Sequence, residues 1–311
     1  MSFVEQSSKA QDRTLAVWFS AIEQGTIKLP RFQRMEAWDR SRIASLLTTI
    51  IQNLPVGITL VLEVAGQEKF VSRYINTSQP KSSAPVTQHL LDGQQRLTEF
   101  WRAMYNNYED ETYFLYVPEF DETDDSFGDD DIRVYCQPRW ERKDGRRYPV
   151  WADDPEDSLK RGLIPISLLR PGDVAKEVDA WILSATKSFE PSDDAPDALK
   201  KYKEYSAVKE RLKERIISVR ERVAHFNLPY LSLPFTTPKH IALQVFINMN
   251  TNSKPLSIYD IIVAEGEGAV DQSLHSLQGK LNDLHPEIGR YQDLRVVQSG
   301  GSPAPSLHLR V

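Results

Sequence analysis

Apolar side chains recur at three- and four-residue intervals in several stretches of the chain, which is the spacing of one helix face. The first stretch follows Thr14 and ends at Gly25, a residue that readily closes a helix in the left-handed conformation. A second follows Asp39, whose side chain can cap a helix, and a third follows Gly93. A fourth spans 198–226 and has many charged positions. The pattern therefore predicts amphipathic helices in these four places.

Short runs of β-branched, aromatic and other apolar residues predict strands between the helices. These runs lie at residues 57–64, 69–75, 86–91, 113–117, 132–136 and 228–233. Ala65 and Gly66 would join the first two as a hairpin. We expect an α+β fold in which a small mixed β-sheet, formed by the strands at 57–64, 69–75 and 86–91, is flanked by helices. A helical subdomain should begin at about residue 170.

Composition limits the classes of function. The chain has 311 residues, 40% of them hydrophobic, which is enough for one large or two ordinary domains. Its formal net charge of −6 provides no general positive field, so a nucleic-acid contact would need a local basic patch. Cys136 is the one cysteine, which excludes an internal disulfide and fits a reducing cytoplasm. No apolar run approaches the ~18 residues of a membrane span, so we expect a cytoplasmic protein with no membrane partner.

The segment Asp92-Gly93-Gln94-Gln95-Arg96 lies where the apolar spacing changes from strand to helix. The first N–H groups of a helix are unpaired and carry partial positive charge, so such a turn can bind an anion. Gly93 permits close backbone approach, Gln94 and Gln95 offer donors and acceptors, and Arg96 offers a fork for phosphate oxygens. Asp92 can cap the helix or hold a metal ion or water. The alternative is a capped helix with Arg96 in a surface ion pair.

Two further segments also contain residues that could bind phosphate. Gln33-Arg34 repeats the Gln-Arg pair in a loop before an amphipathic helix, so both pairs can converge on one polyphosphate. Taken alone, such a pair is more often part of an ordinary solvated loop. Residues 246–257 place Asn250 and Lys254 between a helix expected after Thr237 and another expected after Ser257. Lys254 can meet a phosphate there, and a plain turn between the helices is the alternative.

Taken together, the three segments resemble a known family. Pro30-Arg31-Phe32-Gln33-Arg34 with Trp38, then Leu91 to Thr98, then Phe246 to Ser257 are similar to the N-terminal domain of GmrSD-type modification-dependent restriction enzymes, in the ParB and sulfiredoxin-like superfamily. The similarity spans about residues 12–265. Met35-Glu36-Ala37 departs from the family pattern, which more often has an aromatic residue before the tryptophan.

The resemblance implies a ParB/sulfiredoxin-like nucleotide-binding domain at 12–165. A helical subdomain at 166–290 would contain the returning strand and the third motif, and 291–311 would be a linker toward a C-terminal domain. The nuclease would lie either beyond Val311 or on another chain. The resemblance also implies a nucleoside triphosphate as ligand, with Mg²⁺ as its companion, and DNA that carries modifications as the target. A partner subunit and a homo-oligomer are the other expected partners. The implied catalytic residues are Asp92, Gln94, Gln95 and Arg96, and the implied nucleotide-binding residues are Gln33, Arg34, Gly93, Asn250 and Lys254.

A basic cluster is the candidate nucleic-acid contact. It consists of Arg139, Arg142, Lys143, Arg146 and Arg147, interleaved with Trp140 and Tyr148. Such a cluster can bind a phosphate backbone or stack on an extruded base, and a plain surface loop is the alternative. The six histidines show no paired metal-ligand spacing, so no protein metal site is expected.

Three functions remain open. The first is a nucleotide hydrolase in which Arg96 and Arg34 neutralise phosphate charge, Gln94 or Gln95 positions water, and Asp92 orients that water or Mg²⁺. The second is a regulatory module that binds nucleotide or DNA without hydrolysis. The third, a domain that itself cuts DNA, lacks a dense cluster of metal ligands in the sequence.

Overall fold

The computed structural model describes residues 10–33, 38–80, 84–121, 133–192 and 197–250. Its helices and mixed sheets confirm the α+β class. The strands are β1 (Ala10–Gln11), β2 (Ile27–Pro30), β3 (Thr59–Glu63), β4 (Ser72–Arg73), β5 (Gln88–Asp92), β6 (Glu111–Asp121), β7 (Arg133–Pro138), β8 (Trp140–Lys143), β9 (Arg146–Pro149), β10 (Arg161–Pro165) and β11 (Tyr230–Leu233). The helices are α1 (Leu15–Gln24), α2 (Arg40–Ile51), α3 (Gln94–Met104), α4 (Pro155–Leu159), α5 (Ala175–Ala185), α6 (Ala198–His225) and α7 (Lys239–Asn250).

Six strands form the main sheet in the order β1-β11-β3-β5-β2-β4. β11 runs parallel to β3 and antiparallel to β1, while β5 runs antiparallel to β3 and parallel to β2. The sheet is therefore mixed, as predicted. A sequence-distant strand, β11, fills the position between β1 and β3.

The predicted hairpin at Ala65 and Gly66 is wrong. β4 is two residues long and pairs antiparallel with β2, not with β3. The connection after β3 buries Phe70, whose ring packs 5.3 Å from that of Phe32 just after β2. Because Phe70 is buried against Phe32, the segment pairs with β2 instead of β3. Local turn residues do not predict this long-range contact.

The predicted helices are confirmed, with their ends close to the expected positions. Gly25 closes α1 with φ 70°, and the Asp39 side chain caps α2 by accepting from the backbone N–H of Arg42. Leu54 lies beyond the end of α2 and is half exposed. Glycine and capping residues thus determined these ends locally.

Apolar side chains cover both faces of the main sheet. Along β3 and β5, Val61 and Leu90 belong to the larger core cluster, formed with α1, α2 and α3, while Leu60 and Leu91 belong to a smaller cluster on the other face. Phe246 of α7 joins this smaller cluster. The α3 helix and the segment before the third motif therefore pack on opposite faces of β5.

A second sheet, in the order β10-β6-β7, lies beside α2, and β8 and β9 form a separate two-stranded ribbon. β6 and β7 confirm the strands expected at 113–117 and 132–136. After β10 the chain forms α5 and the long α6, as expected of a helical subdomain, and then returns to the main sheet as β11. The proposed domain boundaries stay predictions.

Helix α1 is hydrogen-bonded to the segment that follows α6. The backbone N–H of Leu15 donates to Phe226 O at 3.0 Å, and the Trp18 indole donates to Leu228 O at 3.0 Å. Within the ranges that the structure describes, no helix combines the length and the apolar character that crossing a bilayer requires.

Candidate functional site

The segment Asp92 to Arg96 forms the predicted turn between a strand and a helix. β5 ends at Asp92, Gly93 takes a left-handed conformation with φ 88° and ψ 7°, and α3 starts at Gln94. A Cβ atom on Gly93 would overlap Thr59 Cγ2 of β3 and lie 3.3 Å from Arg96 Nη2. Backbone angle and crowding therefore both require glycine here.

The N-terminus of α3 keeps the properties of an anion site. Gly93, not Asp92, occupies the N-cap position, and as a glycine it has no side chain with which to cap the helix. The first N–H groups of an α-helix have no partner inside the helix and carry its partial positive charge. Asp92, Gln94 and Gln95 are only half buried around this end, so a ligand can reach them.

Arg96 holds the neighbouring loop in place. Its Nη1 donates to Val56 O at 2.5 Å and its Nη2 donates to Ile58 O at 2.6 Å, while Asp92 Oδ2 lies 3.4 Å from Nη2. A Cβ on Gly57, where φ is +92°, would lie 2.6 Å from Arg96 Nη1. Burial lowers the pKa of Arg96, and the charge of Asp92 partly offsets that effect. The guanidinium therefore brings a buried positive charge to the turn and fixes the 56–58 loop beside it.

Gln33 connects the first motif to the second. Its side chain is 4% exposed, and Nε2 donates to Leu90 O at 2.8 Å and to Leu91 O at 2.7 Å, immediately before Asp92. Gln33 Oε1 is buried and accepts no hydrogen bond from the described part of the chain. The structure thus brings two of the three predicted segments together, and Gln33 offers an acceptor there. Arg34 lies outside the described residues.

The third segment is described only at its start. Asn250 is the last residue of α7, and Lys254 lies outside the described residues. The preceding helix is nevertheless near the first motif, because the rings of Phe246 and Phe32 are 5.3 Å apart. Binding roles for Asn250 and Lys254 stay predictions.

A cleft of about 530 Å³ lies along α3 and the start of α2. Its lining includes Trp38, Arg40, Glu99, Arg102, Tyr108 and Glu111. Glu99 and Arg102 follow Gln95 by four and seven residues, so all three share one face of α3. The cleft therefore lies along the α3 face on which Gln95 also lies, one turn beyond it.

The charged groups of this cleft form internal contacts. Tyr108 donates its hydroxyl to the buried carboxylate of Glu99. Glu111 accepts from Arg40 and, at 2.8 Å, from the Tyr113 hydroxyl. The hydrogen bond from Arg40 to Glu111 raises the pKa of Arg40, and burial raises the pKa of Tyr113. Sequence reasoning missed these carboxylates, although the helical interval from Gln95 to Glu99 was a usable signal.

The basic cluster forms a hairpin, not an irregular loop. Arg139 precedes β8 and binds the body of the protein through Glu111 O, Asn106 Oδ1 and Asp153. Arg147 pairs with Asp110, also on the body. The other three cations, Arg142, Lys143 and Arg146, stand exposed near the turn. The Asp144-Gly145 dipeptide, a common two-residue hairpin turn, was the signal that predicts this ribbon.

Within the described ranges, no group of three histidine, cysteine or carboxylate side chains is arranged to hold a metal ion. Burial raises the pKa of the half-buried Cys136 thiol to about 11, so it carries little thiolate at neutral pH.

Comparison with known proteins supports the resemblance seen in the three segments. The family model described as GmrSD restriction endonuclease, N-terminal domain, matches residues 15–265. A stretch of 88 residues is 31% identical to Uncharacterized protein MJ0686 of Methanocaldococcus jannaschii. That stretch is 27% of this chain and only 15% of the length of that relative.

Proposed function

Since this chain belongs to the family of GmrSD restriction endonuclease N-terminal domains, we propose that it is the nucleotide-dependent sensor of a restriction-type defence protein. In this proposal the module binds and hydrolyses a nucleoside triphosphate and thereby controls a DNA-cutting nuclease. The nuclease lies on another part of the protein or on a partner subunit, and the DNA carries foreign or modified bases.

The observation that carries the proposal is the open start of α3. Gly93 places the first N–H groups of the helix at the end of β5, and this N-cap glycine has no side chain that could occupy them. The half-buried Asp92, Gln94 and Gln95 surround this end. Backbone donors at a helix start bind phosphate oxygens without any change in conformation.

Each residue of the turn has a proposed task. Gln95, with Gln94, positions the attacking water, and Asp92 orients that water. Arg96 supplies a buried positive charge close to the phosphates, with Arg34 as a second cation. Phosphoryl transfer depends on such positioning and charge stabilisation.

The residues at the turn fit a Mg²⁺ ion that arrives with the nucleotide. Magnesium is commonly held by one or two carboxylates together with substrate phosphates and water. Asp92 would provide the carboxylate, and the metal would neutralise phosphate charge.

Steady-state phosphate release from ATP and GTP with Mg²⁺ tests the proposal, and Gln95→Ala is the informative variant. We expect at least about a hundredfold loss of turnover, because removing one preorganised group at a transition state costs about that much. Gln67→Ala, in the exposed turn after β3, is the matched control and should keep wild-type turnover. Equal turnover in both variants would remove Gln95 from the mechanism.

Arg96→Ala is a poor probe of chemistry. It would leave Val56 O and Ile58 O without their donor, so lost turnover would not separate catalysis from a displaced loop.

The same contacts favour a second candidate, a module that binds nucleotide without hydrolysis. A guanidinium that is engaged by two backbone carbonyls has less freedom to follow a transferring phosphate. Saturable binding of ATP or GTP in calorimetry, with no phosphate release from the same sample, would support this candidate and exclude the hydrolase.

A further inference from the structure

The ribbon formed by β8 and β9 stands out from the rest of the protein. Asp144 and Gly145 join its strands with φ values of 52° and 74°, which is the positive-φ pair of a tight two-residue turn. Every residue of both strands is exposed. The ribbon is therefore a short, defined projection.

The base of the ribbon is fixed to the body. The Trp140 indole donates to Glu109 O at 3.3 Å, and Arg147 lies 4.9 Å over the same indole ring while pairing with Asp110. Arg139, just before the ribbon, donates to Glu111 O at 3.1 Å. These contacts anchor the face that contains Trp140, Arg142 and Arg147, because alternate residues of a strand share one face and Arg142 pairs with Arg147 across the strands. Lys143 and Arg146 lie on the opposite face, so the tip presents cations on both sides of the ribbon.

The tip of the ribbon places like charges opposite one another. Arg142 pairs across the strands with Arg147, and Lys143 pairs with Arg146. Directly opposed like charges destabilise a two-stranded sheet. Arg147 has Asp110 as its partner, whereas no described residue forms an ion pair with Arg142, Lys143 or Arg146. The repulsion at the tip is relieved when an external polyanion binds.

We infer that the tip cations Arg142, Lys143 and Arg146 bind the phosphate backbone of double-stranded DNA and that the ribbon enters its major groove. The major groove, about 12 Å wide, accommodates a two-stranded β-ribbon. The inference rests on the proposed function for the choice of DNA as the target.

Charge distribution supports a local contact of this kind. Residues 140–149 contain four cationic and two anionic side chains in a chain whose formal net charge is −6. DNA would therefore be attracted to the ribbon and repelled by much of the remaining surface. Tyr148 lies on the same face as Lys143 and Arg146 and is 45% exposed, so it can pack against a sugar or a base edge.

Fluorescence anisotropy of a short labelled duplex of unmodified DNA tests this inference with the full chain and no nucleotide. The variant combines R142Q, K143Q and R146Q. We expect its affinity to fall about tenfold or more at low salt, and its logarithmic salt slope to become shallower by about 3, because each phosphate contact contributes about 0.9.

The matched control combines K176Q, K201Q and K203Q, which removes the same charge from exposed positions on α5 and α6. It should bind DNA with nearly the wild-type affinity and slope. Equal weakening in both triple variants would show a general charge effect and overturn the ribbon contact. Thermal melting confirms that each variant is folded.

A competition experiment tests whether the ribbon enters the major groove. Unlabelled duplex RNA should compete poorly, because the narrow major groove of A-form RNA does not admit a ribbon. Equal competition by RNA and DNA duplexes would overturn groove entry. Absence of DNA binding by the wild-type chain would overturn the inference but leave the hydrolase proposal standing, because phosphate release is measured without DNA.

Discussion

At the scale of single residues, the turn after β5 is held by glycine and arginine together. Gly93 leaves the space that Thr59 and Arg96 occupy, and Arg96 in turn fills the space beside Gly57. Two glycines with positive φ therefore accommodate one guanidinium. The buried arginine fixes both the helix start and the loop next to it.

Gly93→Ala should lower the free energy of unfolding by more than about 2 kcal/mol, because a non-glycine residue at this φ is strained and its Cβ meets Thr59 Cγ2. Gly66→Ala is the control, since Gly66 has a similar φ of +83° but no heavy atom near a Cβ. Its expected cost is about 1 kcal/mol. Urea unfolding measures both.

A second substitution separates crowding from backbone strain. Thr59→Ser removes Cγ2 and keeps the hydroxyl that donates to Pro229 O at 3.1 Å. Added to Gly93→Ala, it should recover part of the lost stability. If Gly93→Ala and Gly66→Ala have equal costs, crowding at Thr59 is not what requires glycine.

The sequence predicted this turn because the apolar spacing changes at Asp92 and Gly93. It did not predict the contacts of Gln33 and Arg96, which bind backbone carbonyls contributed by β5 and by the 56–58 loop. Both side chains resemble free phosphate ligands in the sequence, since only the assembled sheet brings those carbonyls to them. Arg34 and Lys254 lie outside the described residues, so their proposed ligand roles stay predictions.

At the scale of elements, β5 brings a buried histidine against a carboxylate. His89 is fully buried, and its Nε2 lies 2.8 Å from Glu68 Oε2 in the connection after β3. Burial lowers the pKa of His89, although Glu68 partly opposes this effect. Burial alone would raise the pKa of Glu68, but hydrogen bonds from Ser72 and His89 and the charge of Lys28 lower it overall.

Stability should fall as the pH drops below about 6.5, the ordinary pKa of histidine. The unfolded chain then binds a proton at His89 that the folded chain does not, so acid favours unfolding until the lower folded pKa is passed. The lowered pKa of Glu68 adds a further loss below its ordinary value of 4.5.

Unfolding free energies measured by urea between about pH 7 and about pH 5, the range in which histidine titrates, check this dependence. His89→Gln should flatten the profile, whereas His225→Gln, at an exposed position on α6, should leave it unchanged. An unaltered slope in His89→Gln would show that this buried pair does not control acid stability.

The helices were predictable because capping residues and apolar spacing act locally, as Asp39 and Gly25 show. The pairing of the strands was less predictable from the sequence. The hairpin at 65–66 failed because burial of Phe70 outweighs turn chemistry, and the ribbon at 140–149 was missed although Asp144-Gly145 marks it.

At the scale of the whole molecule, the main sheet depends on a strand from far along the chain. β11 pairs with β1 on one side and β3 on the other, and Pro229 O accepts from both the backbone N–H and the hydroxyl of Thr59. Thr59 also contacts Gly93 through space that glycine leaves open. The candidate site is thus braced by residues from both parts of the chain.

A fragment ending at residue 192 should therefore lack a cooperative thermal transition, whereas a fragment ending at residue 250 should retain one. The shorter fragment lacks β11, which pairs with β3, and α6, which packs against α1. Calorimetry of both fragments provides the measurement. Cooperative melting of the shorter fragment would instead support an independent domain at 12–165.

The position of β11 also has a consequence for synthesis. A ribosome delivers β3 and β5 long before β11, so the β3 edge emerges with unpaired backbone groups and waits for most of the chain to follow. β1 precedes β3 in the chain, but it has its place in the sheet only after β11 has arrived. The sheet therefore closes late and slowly, because its strand pairing joins distant parts of the chain. We expect chaperones to bind the nascent chain until β11 is in place.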